Sequence, residues 1–133
     1  MVSRIFVNLP VKDLERTKAF FAALGFSFEA RFTDENAACL ILGETQYAML
    51  LVESMFQTFT PKPVADATKS TEVLVALQVE SRDEVDRMVS QAVTAGATLP
   101  RAAEDHGFMY SHSFQDLDGH IWEPFWMDQD QEG

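Results

Sequence analysis

Glu123 stands in DLDGHIWEPFW (residues 116–126), a carboxylate among Ile121, Trp122, Phe125 and Trp126, just after the turn signal Asp118-Gly119. Glutamate is seldom buried without a partner, and an unpaired charge in an apolar setting is costly. Such a group acts as a metal ligand, as a general base beside a carbonyl, or as an acceptor for neutral donors lining a binding groove. The histidines are His106, His112 and His120. His120 and Glu123, three apart, fall on opposite faces of a strand, so joint ligation is not expected and His120 reads as a turn residue. His112 shares a strand face with Tyr110 and Phe114. A relocated metal site from His106, His112 and Glu123 is the sharper reading; structural or surface histidines are the blander one.

Nucleophilic and nucleotide chemistry leave no trace: there is no G-x-S-x-G, no nearby Cys–His pair, no P-loop and no dinucleotide fingerprint. The single cysteine, Cys39, lies in the apolar run AACLIL and reads as a core residue in a reducing cytosol. A net charge of −11, with ten basic residues and no basic run, argues against nucleic acid. Acidity of this kind marks a solvated surface or favours a cationic ligand. The start MVSRIFVNLPV lacks a signal-peptide pattern, and no window is apolar for long enough to span a membrane, so a cytoplasmic protein is expected.

The elements that must position these residues repeat. RIFVNLPV (4–11) alternates as a strand, with Ile5, Val7, Leu9 and Val11 on the face turned to a helix and Phe6 and Asn8 on the other. Asp13 reads as the N-cap of LERTKAFFAAL, whose Leu14, Lys18, Phe20, Phe21 and Leu24 share a side, and Gly25 closes it. Strands are expected at 26–32, 36–42 and 46–53, with a polar turn at Asp34, Glu35 and Asn36. FTPKPVADATKS then reads as a linker. Its Lys62 and Lys69 are flexible surface groups or, alternatively, a lid meeting an anionic ligand. The same grammar restarts with strand 72–79, a helix through Val85, Met88, Val89 and Ala92 closed by Gly96, and strands near 98–103, 108–115 and 120–127.

VNLPV (7–11) superposes on VALQV (75–79), and YAMLLV (47–52) on IWEPFW (121–126). The expected architecture is α+β: two βαβββ modules, 1–57 and 71–133, joined by loop 58–70 in one domain (1–133). Their curved mixed sheets would enclose a groove, with helices on the outer faces. Phe6, Asn8, Tyr47, Met49, Leu74, Tyr110, His112 and Phe125 are then the expected ligand-binding residues and Glu123 the expected catalytic one. Pro124 lacks an N–H and suggests an edge, a bulge or a strand end. The tail DQDQEG is expected to fray.

FVNLPVKDLERTKAFFAALGF, the second βαβββ pattern and DLDGHIWE together resemble the vicinal oxygen chelate superfamily. That group includes glyoxalase I, extradiol dioxygenases, fosfomycin-resistance thiol transferases and bleomycin-resistance proteins. The lactoylglutathione lyase-like branch is the nearest in pattern. The resemblance implies homodimers and four inward metal-binding positions, which map here to Phe6, Met49, Leu74 and Glu123. Of these only Glu123 offers a hard donor. Two functions stay open, beside a third in which the groove is filled by the protein's own aromatics and the protein is an interaction module. One is a small-molecule binding protein with no metal at the usual positions and no cofactor. The other is a lyase, isomerase or dioxygenase using Zn, Ni, Fe or Mn in a rearranged site with Glu123.

Overall fold

The computed structural model describes residues 1–129, so residues 130–133 of the acidic tail lie outside the described residues. The chain divides into two compact units between Ala65 and Asp66.

In the first unit, β1 (Ile5–Val11) leads through α1 (Leu14–Ala23) and β2 (Ser27–Phe28) to β3 (Ala37–Ile41), β4 (Gln46–Val52) and α2 (Glu53–Gln57). The sheet order is β1-β4-β3-β2, with β1 parallel to β4 and the other pairs antiparallel. Asp13 caps α1 by accepting from the Arg16 amide at 3.1 Å, as its position in the sequence predicts. Leu14, Thr17, Phe20 and Phe21 form the buried stripe of α1, which packs on β3 and β4 against Ala38, Leu40, Ala48 and Leu50. Burying each such large side chain stabilises the fold by about 1.5–3 kcal/mol.

The expected strand 26–32 stops after Phe28 and becomes a 3-10 turn over Ala30–Phe32. Thr33 explains the change. Its hydroxyl donates to the Glu29 carbonyl at 2.8 Å and accepts from the Cys39 amide at 3.0 Å, taking the place of a ladder partner. Asp34 makes the expected polar turn, its Oδ1 accepting from the amides of Asn36 and Ala37. Beyond Val52 the chain turns into the short α2, which alternation in YAMLLV does not foretell.

Cys39 is fully buried, and burial pushes its thiol pKa up. The folded protein is therefore expected to resist an aromatic disulfide reagent until denatured. Stoichiometric labelling of the native state within minutes would contradict this placement.

In the second unit, β5 (Leu74–Gln78) is followed by α3 (Arg82–Thr94), β6 (Glu104–Asp105), β7 (Met109–Ser111), β8 (Phe114–Gln115) and β9 (Ile121–Met127). The order is β5-β9-β7-β6, β8 also pairs with β9, and β5 runs parallel to β9. Ser81 caps α3 through the Glu84 amide at 3.1 Å, and Val85, Val89 and Ala92 pack towards β9, where Trp122 is fully buried. The strand expected at 98–103 shrinks to one bridge, Thr98 with Gln115, because Pro100 cannot donate to a ladder.

The repeat extends to register. Phe6 faces Tyr47 and Asn8 faces Met49 in the first parallel pair. Leu74 faces Ile121 and Ala76 faces Glu123 in the second, which are the same positions under the sequence superposition. The fold class is thus the α+β pattern of two mixed sheets. Among the described residues, no helix is long and apolar enough to cross a membrane.

Candidate functional site: a cavity beside Pro124

Pro124 sits inside β9, the central strand of its sheet, where a ladder donor is missing. The facing strand responds by dividing. β7 ends at Ser111, β8 starts at Phe114, and His112–Ser113 fill the gap, with the His112 amide donating to the Pro124 carbonyl at 3.2 Å. Of the edge, bulge or strand end that proline suggests, the structure shows an interruption in the partner strand of a buried proline.

A cavity of about 380 Å³ opens at this gap, within the range typical of small-molecule sites. Its wall includes Glu123 and Phe125 from β9, Ala76 from β5, and Met109, Ser111, His112 and Ser113 from the interrupted strand. Met127 and the segment bearing Arg101, Ala102 and Glu104 complete it. The charges on this wall are unevenly matched. Glu104 is ion-paired with Arg101 and lies 3.2 Å from His106 Nε2, while Glu123 has no ion-pair partner among the described residues. Ser113 is only 2% exposed, yet neither its Oγ nor the buried Nε2 of His112 has a hydrogen-bond partner among the described residues.

Three residues expected at the site therefore meet here: Glu123, His112 and Phe125. Leu74 lies on the same sheet face, 54% exposed, without lining the cavity. Tyr110 belongs elsewhere, which corrects the expectation that it faces the groove. It pairs with Trp126, its hydroxyl donates to Asp86 of α3 at 2.5 Å, and the Arg82 guanidinium lies 5.3 Å from its ring centroid. Alternation in this strand turns Tyr110 and Phe114 to the helix and Met109, Ser111 and Ser113 to the cavity, while His112, which shares the parity of Tyr110, borders the cavity at the gap opposite Pro124. His120 sits at the exit of the hairpin turn, as expected, and is held there: it is 3% exposed and its Nδ1 lies 2.9 Å from Glu72 Oε1.

Phe6, Asn8, Tyr47 and Met49 lie in the first unit, on the sheet face away from its buried Leu9, Ala48 and Leu50. Phe6 stacks on Tyr47 with centroids 4.8 Å apart and an angle of 12°, and Phe32 meets Phe6 edge-on. This aromatic shelf is partly exposed, Phe6 by 39%.

The four positions that the resemblance maps offer little to a divalent ion. Phe6 and Leu74 carry no donor, Met49 offers a soft thioether, and Glu123 one carboxylate. His106 turns to Glu104 and does not line the cavity that His112 and Glu123 share. Among the described residues, no group of three His, Cys, Asp or Glu side chains is placed to hold a metal. Ser113, Arg101 and Glu104 escaped the sequence reading. Ser113 was within reach of it: counting back across the hairpin from Glu123 arrives at Ser113. Arg101 and Glu104 come from a non-repetitive segment that has no such rule.

A family model, bleomycin resistance protein-like N-terminal, matches residues 4–43. No curated protein matches the sequence. The hypothetical protein SA1046 from S. aureus is 26% identical, with a TM-score of 0.80 over 95% of this chain and 94% of that one. A glyoxalase-related enzyme from Fulvimarina pelagi is 20% identical, with a TM-score of 0.78 over 94% of this chain and 88% of its own. A bleomycin resistance determinant encoded on the transposon Tn5 is 18% identical, with a TM-score of 0.66 over 96% and 99%.

Proposed function

For a chain with the fold of the glyoxalase/bleomycin resistance/dioxygenase proteins, we propose binding of a small organic molecule in the cavity beside Pro124, without a resident metal. The observation that carries this reading is the composition of the wall. Phe125, Met109, Met127, Ala76 and Ala102 supply apolar contact. Beside the Arg101–Glu104 ion pair and Ser111, the carboxylate of Glu123, the buried hydroxyl of Ser113 and His112 Nε2 are polar points left without an ion-pair or hydrogen-bond partner among the described residues. Binding sites are commonly built this way, with apolar walls giving affinity and a few polar groups fixing orientation. The fold is shared with a bleomycin resistance determinant and with a glyoxalase-related enzyme alike, so the binding role rests on the wall and not on the likeness.

Metal analysis of protein purified without chelators, paired with calorimetry, tests the proposal. Expected are far less than one Ni, Zn, Fe or Mn per chain, and measurable binding of at least one ligand among basic glycopeptide antibiotics, thiols and aromatic acids. Stoichiometric metal that disappears in Glu123→Ala would instead restore the reading as a lyase, isomerase or dioxygenase, including the lactoylglutathione lyase-like one. No binding of any ligand at millimolar concentration would remove the proposal.

A further inference from the structure

Ser113 Oγ and His112 Nε2 are buried polar atoms without a hydrogen-bond partner among the described residues. Ser113 is 2% exposed. Buried polar groups in folded proteins are nearly always paired, so an unpaired one at a cavity wall points to a missing partner. Phe114 pairs with Trp122 on the helix side, so Ser113, one step back, lies beside Glu123 on the cavity side. A carboxylate only accepts hydrogen bonds, whereas a hydroxyl both donates and accepts. One ligand group can satisfy both only if it donates to Glu123. An anionic head would meet Glu123 and Glu104, while the guanidinium on this wall, Arg101, is already paired with Glu104.

We propose that the ligand is an apolar molecule bearing a hydrogen-bond-donating head, an alcohol or an ammonium, held between Ser113 Oγ and the Glu123 carboxylate. This rests on the binding function proposed above. Ser113 selects the head group, and Phe125, Met109 and Met127 take the apolar body.

Phenethyl alcohol, phenethylamine, phenylacetate and ethylbenzene share one body and differ in the head. Titrated into the full chain and followed by amide NMR, the alcohol or the amine is expected to shift Ser111, Ser113, Glu123 and Phe125. That compound should bind roughly three- to tenfold more tightly than phenylacetate and ethylbenzene. Ser113→Ala should remove most of this advantage while leaving the ligand-free Tm unchanged or raised, since no bond within the fold is lost. In Glu123→Gln, a loss greater for the amine than for the alcohol identifies an ammonium, and an equal loss identifies an alcohol. Equal affinity for ethylbenzene or phenylacetate, an unaffected advantage in Ser113→Ala, or a lowered ligand-free Tm in that variant would each overturn the head-group assignment while leaving binding intact. If none of the four shifts the cavity amides, the head-group assignment falls; if the glycopeptides, thiols and aromatic acids also fail to bind, the binding function falls with it.

Discussion

Asp116→Ala is expected to lower stability by about 3 kcal/mol or more, and Tm by on the order of 10 °C. The carboxyl is 6% exposed and makes a hub: Oδ1 accepts from the amides of Asp118 and His120 at 2.9 and 3.0 Å, and Oδ2 accepts from Trp122 Nε1 at 2.9 Å. Removing it strands three donors, one of them on the fully buried Trp122. An unsatisfied buried donor costs about 1–3 kcal/mol, and a turn that opens to water recovers part of that. Denaturant melts of the variant check the value; a loss below about 1 kcal/mol would show that the hub is dispensable. Asp116→Asn should also destabilise, because an oxygen aimed at the two amides leaves an NH₂ facing the Trp122 N–H.

The same residue sets a pH dependence. Burial pushes the Asp116 carboxyl above its ordinary value of 3.8, against the lowering effects of His120, the Trp122 N–H and the two amides. With the folded pKa above the unfolded one, its contribution is full below the unfolded pKa and is lost as pH rises through the folded one. The stability advantage of wild type over Asp116→Asn should therefore narrow on going from acid towards neutral pH. An advantage that widened would reverse the sign.

Gly119→Ala is expected to cost about 2–4 kcal/mol. Gly119 has φ +94°, and a Cβ there would lie 2.6 Å from the backbone C and O of Ala67 and 2.7 Å from the Thr68 amide nitrogen. Backbone cannot rotate away as a side chain can, so the 66–70 turn would have to lift. Gly25 supplies the control. Its φ is +93°, but nothing stands within 4 Å of an added Cβ, so Gly25→Ala should cost only about 1–2 kcal/mol. Hydrogen exchange should rise at Lys69 and Ser70, whose amides bond to the Asp66 carbonyl, in the Gly119 variant and not in the Gly25 variant. Equal melting temperatures for the two would refute the close approach.

Both substitutions act on DLDGH, the stretch that sets the register of β9 and hence the face on which Glu123 appears. The segment reads as chemistry in the sequence because it carries acids and a histidine. In the fold Asp116 and His120 are buried and bonded in place, and Glu123, three residues on, reaches the cavity.

The sequence by itself determined the repeating α+β pattern, the capped α1, the correspondence of Phe6 with Leu74 and of Met49 with Glu123 under the repeat, and the turning of Glu123 and Phe125 away from Trp122. These follow from periods of two and 3.6 residues, local turn chemistry and burial, which are written in consecutive residues. Only the tertiary structure decided that Tyr110 turns to α3, that His120 pairs with Glu72, and that Ser113 ends buried, with no hydrogen-bond partner among the described residues, beside a cavity walled partly by Arg101, Ala102 and Glu104. Those outcomes join segments far apart in the chain and depend on how a strand breaks opposite a proline. No local period encodes such a choice; packing makes it.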